Sequence, residues 1–520
     1  MNIPNISSEP AVDISLDTIN IGKQALVFCS TRKSAESTAE KISKHTKLNL
    51  IELSEKILKV LSSPTKQCRK LADCVKKGTA FHHAGLASGQ RKLVEDAFRK
   101  GEIKVICSTP TLAAGINLPA FRAIIKDLKR YGGRWGMEYI QTLEYHQMAG
   151  RAGRPDFNDT HGEAICIAGS EKEAEVILER FINAGPENIY SKLAVEPVLR
   201  TFCLSLLATG FARSKGELIK FFEKTFYGFQ YGDMQKLGAI MDKILGYLEE
   251  WEFIILKNSN NNEKNEFISA KNIGKSDESI EVTKLGERVA QLYLDPYTAH
   301  QIITALRKST KIEINEFSFI SMACSTLELR PLPSVRVSET DRIEAEAIKH
   351  KSKLIIDEPT VFEPEYDDFL KAMKLSFALD FWMDEKNEDE ILEEFNIAPG
   401  ELHVKKELCD WILFSTVELS EILGFRDLQK IVRKTIFRLD KGVKEELVPL
   451  VKLKNIGRVR ARILFRNGIK DIGDIKNADL TKLTQLLGAK IAKDLKEQIG
   501  EEIEEISKGR RKGQMSVEKY

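Results

Sequence analysis

At 520 residues the chain is too long for one hydrophobic core, and its length points to about three to five domains. Lysine plus arginine (79) nearly balance aspartate plus glutamate (77), so the net charge of +2 identifies no partner and only local clusters are informative. No apolar run reaches bilayer length, the start lacks the basic and apolar regions of a signal peptide, and the eight cysteines include no CxxC pair at zinc spacing. A reduced, cytoplasmic protein without a membrane span or a metal of its own is expected.

Residues 1–21 read as a leader or residual linker. From 22 to 188 short apolar runs alternate with helical patterns, which predicts a parallel α/β sheet. The strands fall at Ala25–Cys29, Ala80–His83, Val105–Ser108, Ala123–Lys126 and Ala164–Ala168, with a helical pair inserted at about 44–77. From 189 to 300 the period becomes helical (Leu237, Ile240, Met241, Ile244, Leu245, Leu248). Trp251–Leu256 and Ile280–Thr283 then read as a ribbon around a polar stretch, the order expected of a winged helix. Residues 301–443 are helical throughout, implying a bundle, and 444–500 form shorter helices joined by glycine turns. A polar, basic tail, 501–520, carries Lys508, Arg510, Arg511 and Lys512.

The most specific segment is Gln147-Met148-Ala149-Gly150-Arg151-Ala152-Gly153-Arg154-Pro155. If it is helical, Gln147, Arg151 and Arg154 lie on one face, where two guanidinium groups can clamp a transferring phosphoryl group. Gly150 and Gly153 leave room for a close backbone or nucleotide. Upstream, Ser108-Thr109-Pro110-Thr111-Leu112-Ala113-Ala114-Gly115-Ile116-Asn117 follows a strand. Its small hydroxyl residues and glycine suit phosphate at a sheet's carboxyl edge. Leu26–Arg32 and Phe81–Leu86 each open from a strand into a turn, and the tandem histidines lack a metal-binding partner set.

These four segments, in this order, resemble motifs IV, IVa, V and VI of superfamily-2 helicases. In detail the chain from about 22 to 500 is similar to the archaeal Holliday-junction-migration (Hjm) DNA repair helicases, relatives of the helicase part of polymerase theta. The resemblance implies one RecA-like lobe, then a winged helix, a helical ratchet bundle and a helix-hairpin-helix domain. It places Gln147, Arg151 and Arg154 on ATP, with Arg154 as arginine finger. Gly115 and Asn117 join the nucleotide site and couple it to a DNA backbone held by Ser30, His83, Gly85, Thr109 and Thr111. Gly132-Gly133 predicts a hairpin at the position of the family's strand-separating hairpin, with Tyr131 and Trp135 on bases. On the helix beginning near Pro399, Trp411 matches the residue that stacks on a base and Lys405 lies beside it, while Val404 stands where the family often has arginine. A tryptophan on an apolar helix is more often part of a core, and the resemblance alone assigns it to a base. Arg458, Arg460 and Arg462 follow Gly457 in the terminal module, where a helix start and local charge suit phosphate.

A helicase motor also needs a P-loop and an acidic pair for ATP and Mg²⁺. Lys271–Ser276 contains GKS, but Ser269 replaces the required glycine, and Leu354–Thr360 imitates an acidic strand inside a helical region. Both are rejected. ATP and Mg²⁺ are therefore expected to be shared with a first lobe supplied by another chain or missing from this one. The expected partners are single-stranded and forked DNA. Three functions remain open: part of an ATP-dependent 3′–5′ DNA helicase, an ATP-independent DNA-binding regulator, and an RNA helicase fragment.

Overall fold

The computed structural model describes residues 3, 5–61, 63–113, 118–131, 136–153, 159–193, 195–232, 234–257 and 279–500. Its first unit is a five-stranded parallel sheet of order β2-β3-β1-β4-β7, made of β1 (Ala25–Phe28), β2 (Thr79–His82), β3 (Val105–Ser108), β4 (Arg122–Ile125) and β7 (Glu163–Cys166). β1 to β4 are buried along their whole length, which explains their mostly apolar character. The helices around it are α1 (Pro10–Asn20), α2 (Arg32–Ser43), α3 (Ile51–Leu58), α4 (Lys66–Lys76), α5 (Ser88–Arg99), α6 (Thr142–Ala149) and α7 (Glu171–Ile177). A separate antiparallel ribbon joins β5 (Lys129–Tyr131) to β6 (Met137–Tyr139), where the glycine pair predicted a hairpin.

Each expected strand lies within about one or two residues of its observed position, and α3 and α4 are the inserted helical pair. The first 21 residues differ from expectation. Instead of a bare leader, α1 buries Val12, Ile14 and Leu16 in the same core as the sheet. Fully buried Arg122 on β4 fixes it there, pairing with Asp17 of α1 and Glu163 of β7, each at 2.5 Å.

The second unit begins with α8 (Glu196–Ala208), α9 (Lys215–Glu223), α10 (Phe226–Tyr231) and α11 (Met234–Glu250). An antiparallel ribbon of β8 (Ile254–Lys257) and β9 (Ser279–Val282) follows, then α12 (Lys284–Gln291). β8 begins three residues later than the predicted run, because Trp251 still belongs to the turn after α11 and stacks on Tyr247 and His300. The bundle comprises α13 (Pro296–Ser309), α14 (Glu316–Cys324), α15 (Val337–His350), α16 (Tyr366–Met383), α17 (Glu388–Phe395), α18 (Pro399–Ile422) and α19 (Arg426–Lys441). No break in the core accompanies the boundary expected near residue 300: one apolar cluster runs from Leu199 to Leu439. A third small core, Val443 to Leu495, holds α20 (Val448–Val451), α21 (Arg458–Arg466), α22 (Ile472–Asn477), α23 (Leu480–Leu487) and α24 (Ala489–Gln498). Among the described residues, no helix is long and apolar enough to cross a membrane.

Asp380 on α16 is a strained point in the bundle. Burial, with Asp384 nearby, pushes its carboxyl up to about 6 although Arg438 pulls it down. A raised carboxyl favours its protonated form in the fold, so the ionised form costs stability above about pH 6, and this cost fades as the pH falls towards 4. Asp380→Asn should therefore raise the thermal midpoint at pH 8, with an upper bound of about 3 kcal/mol from two pKa units. The gain should vanish near pH 4, as thermal melts across pH would read directly.

Candidate nucleic-acid interface

In a parallel sheet the loops that follow the strands share the carboxyl edge, where α/β folds present donors to phosphates and nucleotides. Here the turns after β1, β2, β3 and β4 line one cleft of about 640 Å³, closed on its far side by α6. Thr109 precedes, and Thr111 lies within, the 3₁₀ turn Pro110–Leu112 after β3. Their hydroxyls lie 2.9 Å apart, and Thr111 is exposed. Gln147 reaches the same cleft from α6. These three side chains therefore line one cleft.

The other expected contacts in this lobe divide. Ser30 lines the cleft, but its backbone N–H and its hydroxyl both donate to Asp127, at 3.0 and 3.2 Å. His83 is fully buried, with Nε2 3.2 Å from Glu36 and Nδ1 accepting the Gly85 N–H at 3.2 Å. Gly85 is itself covered by the start of α18. Neither His83 nor Gly85 faces solvent, so both shape the turn from beneath and neither is open to a DNA strand. Two cleft cations were not singled out from sequence: Arg32 pairs with Glu401 of α18 at 2.7 Å, and Arg130 pairs with Glu144 of α6 at 3.1 Å. Their only signal is position, one directly after a strand and one at the base of the hairpin. Of Tyr131 only the backbone is described, paired with Met137; Trp135 lies outside the described residues.

The expected arginine-bearing helix is shorter than its periodicity predicts. α6 stops at Ala149 with Gly150 as cap, and Ala152 bridges Ala120 in parallel while Gly153 turns with φ +100°. Arg151 consequently leaves the helix and Gln147 and Arg151 do not share a helical face. The Arg151 guanidinium donates to the Ala113 carbonyl, through Nε at 3.2 Å and also through Nη2, while its own carbonyl accepts from Ala120 N–H at 2.9 Å. This stitches the arginine motif to the threonine motif. Gly115, Asn117 and Arg154 lie outside the described residues. The start of α6 is held by Glu187, whose carboxylate accepts the Thr142 and Leu143 N–H groups, bonds that draw its pKa down to about 2. No sequence pattern announced that cap, 45 residues downstream.

On α18 the outward stripe is Val404, Glu407, Trp411 and Phe414, at i, i+3, i+7 and i+10. Trp411 is half-buried, and its indole N–H donates to the Leu292 carbonyl at 3.2 Å, which fixes the ring plane while leaving part of it exposed. Phe414, 46% exposed, is a second aromatic on that stripe which sequence reading passed over. Lys405 turns instead onto the Leu329 carbonyl at 2.7 Å, and burial lowers its pKa.

In the terminal module the three arginines also part company. Arg458 lies 4.3 Å from the centre of the Trp382 ring and donates to the Lys386 carbonyl at 3.0 Å, while Arg462 pairs with Glu385 and Glu446. Both dock the module on the turn between α16 and α17. Lys406 of α18 covers Trp382 as well, at 3.9 Å, and burial lowers its ammonium to about 8. Arg460 alone of the three stays exposed, in a cleft of about 580 Å³ with Lys441, Lys452, Lys454 and Gly457 at the start of α21. Among the described residues, no group of three or more His, Cys, Asp or Glu side chains is placed to hold a metal ion.

Comparison with known proteins agrees with this layout. The model for the helicase conserved C-terminal domain matches residues 10–156, that for archaeal helicase domain 4 matches 317–442, and that for a SAM-like helix-hairpin-helix tandem matches 447–501. Proteins named ATP-dependent DNA helicase Hel308 are similar over nearly all of the chain. That of Methanocella arvoryzae is 36% identical over 96% of this chain and 66% of its own length. The Methanococcus vannielii protein is 37% identical over 96% and 68%, and the Pyrococcus horikoshii protein 37% over 96% and 67%. The chain thus spans about two thirds of the length of these relatives. With the sheet, the bundle and the terminal helices in the order the models require, the chain belongs to the archaeal Hel308 family of superfamily-2 helicases.

Proposed function

We propose that the chain is the second motor lobe and DNA-gripping part of an ATP-dependent 3′–5′ DNA helicase. It translocates on single strands and unwinds forked or branched DNA in repair and recombination, with a first RecA-like lobe needed for ATP hydrolysis. The observation that carries this reading is the cleft in which exposed Thr111, Thr109 and Gln147 meet at the sheet's carboxyl edge. The two threonine hydroxyls there suit a phosphate backbone without reading its sequence, while the Gln147 amide beside them serves the nucleotide. On this reading residues 22–188, extended by α1, form the lobe, 189–300 a winged helix, 301–443 the ratchet bundle and 444–500 the helix-hairpin-helix module.

The nucleotide is held by Gln147, Arg151 and Arg154, with Gly115 and Asn117 completing the site. The exposed Gln147 amide suits polyphosphate, with the two carboxylates of the cleft already engaged, Asp127 by Ser30 and Glu144 by Arg130. ATP when bound supplies the phosphoanhydride bond whose cleavage drives lobe motion. Because Arg151 is bonded to the Ala113 carbonyl, a shift of the arginine motif towards a phosphate pulls on the loop that carries Thr109 and Thr111. Trp411 and Phe414 then stack on bases of the held strand, and Arg460, Lys441 and Lys454 hold phosphate on its exit side. Exposed aromatics on α8 to α10 and their connecting turn, Phe202, Phe211, Phe226 and Phe229, offer apolar surface for the first lobe to cover.

The chain alone should show no ATP turnover. Adding a separately expressed first lobe from a relative should produce DNA-stimulated hydrolysis, and Arg154→Ala should abolish it. Robust DNA-stimulated hydrolysis by the isolated chain would refute the shared active site, and better stimulation by a matched RNA fork would refute the substrate.

Single-strand binding separates the two kinds of grip. Trp411→Ala should weaken it by about 1–3 kcal/mol with an unchanged salt slope. Lys454→Ala should weaken it across all sequences and reduce the slope of log K against log salt by about 1. Titrations at several salt concentrations distinguish these outcomes.

A further inference from the structure

The start of α18 sits against the turn after β2 at a distance that requires glycine at position 400 and leaves little room at Gly85. The Gly400 N–H donates to the Gly85 carbonyl at 3.1 Å. A methyl group built on Gly400 would collide with the carbonyl oxygens of Ala84 and Leu86 and stand 3.0 Å from the Gly85 carbonyl carbon. A methyl on Gly85 would meet the Ala398 Cβ at 3.1 Å. The obstacles at Gly400 are backbone atoms, which cannot rotate away as a side chain can.

The turn that receives Gly400 is braced from below. Buried His83 accepts the Gly85 N–H and pairs with Glu36. From the side, Glu401 accepts the Ala398 N–H at 3.2 Å and the Arg32 guanidinium at 2.7 Å, capping α18 and tying it to the turn after β1 at once. Burial alone would raise the Glu401 carboxyl, yet Arg32 holds it below its ordinary value. A second strut lies alongside: the Lys66 N–H of α4 donates to Asp389 of α17 at 3.0 Å, and the Lys66 ammonium pairs with Glu393. Both Ala84 and Arg32 line the cleft that holds Thr109 and Thr111.

We propose that the Gly85–Gly400 contact is a rigid joint that fixes the stacking residue Trp411 in register with the backbone grip of the sheet, making Gly400 a positioning residue for translocation. The mechanical part stands on geometry, and only its consequence for unwinding rests on the helicase reading above. Trp411 lies eleven residues beyond Gly400, about 16 Å along the helix axis at 1.5 Å per residue. A tilt of about 12° at the joint displaces it by about 3.4 Å, the spacing of one nucleotide along a strand. A loose joint therefore lets the stacked base slip by one position relative to the phosphate held at Thr109 and Thr111.

Spin labels at Lys92→Cys on α5 and Glu421→Cys on α18, in a Cys166→Ser background of the full chain, read the joint without DNA or ATP. Both label positions are exposed and the other native cysteines are buried. The parent should give one narrow distance distribution. Gly400→Ala should displace it or broaden it at least twofold, and Gly85→Ala, whose obstacle is milder, should give a smaller change with the fold retained. Unchanged distributions in both variants would overturn the joint.

With a first lobe supplied, Gly400→Ala should keep DNA-stimulated ATP turnover within twofold while unwinding falls tenfold or more. Equal loss of both activities would assign Gly400 to folding and overturn its positioning role. If the parent with its first lobe shows no DNA-stimulated turnover, the helicase reading fails, and the spin-label distances still decide the joint.

Discussion

A parallel sheet returns every strand through a crossover, so the turns after its strands collect on one edge whatever else the chain does. In this protein that constraint brings Ser30, Ala84, Thr109 and Asp127, separated by up to 97 residues in sequence, to the walls of one cleft. The burial of Arg122 between Asp17 and Glu163 supports the same arrangement, since it holds α1 and the edge strand β7 against β4. Buried ion pairs of this kind contribute little net stability, but removing one partner strands the other charge, so they enforce one packing over its alternatives.

The sheet edge also explains where the cations went. A chain with 79 lysines and arginines and a net charge of +2 has most of its positive charge matched by acids. Arg32, Arg130, Arg458 and Arg462 each lie where phosphate contact would be guessed, and each is paired with a carboxylate. What faces outward in the main cleft is largely neutral: two threonine hydroxyls and the Gln147 amide. Neutral donors bind phosphate more weakly than cations do, so on the proposed reading the main cleft would release a strand more readily than the terminal cleft with Lys441, Lys454 and Arg460.

The strands and the inserted helical pair were legible because burial on both faces leaves a plain apolar run, and the amphipathic helices because their period is intact. The end of α6 was not. Gln147 and Arg151 keep helical spacing, and only the bridge from Ala152 to Ala120 reveals that the chain has already left the helix. The fate of charges was equally hidden. Arg458 and Arg462 read as a basic helix face, while their acceptors Glu388 and Glu385 stand 70 and 77 residues earlier. His83 and Gly85 were legible as a motif, but His83 is paired with Glu36 and Gly85 is covered by Gly400, and no local pattern links positions so far apart. Local rules report propensity and period; pairing across the fold is decided by packing.

The choice of glycine at that junction follows from what the contact must do. A salt bridge such as Arg32–Glu401 joins two long side chains whose torsions yield under load and whose attraction weakens in salt. A backbone N–H bonded to a backbone carbonyl, with neighbouring carbonyls in van der Waals contact, has no such compliance, because interiors packed at this density transmit displacement instead of absorbing it. Placing the stiff contact at the first turn of a 24-residue helix makes the whole helix a lever fixed to the sheet. The soft ion pairs around it, Arg32–Glu401 and Lys66–Glu393, then orient the lever without bearing its thrust. On the proposed helicase reading, a lobe and a stacking helix that move as one body need only a single moving interface, the one with a first lobe.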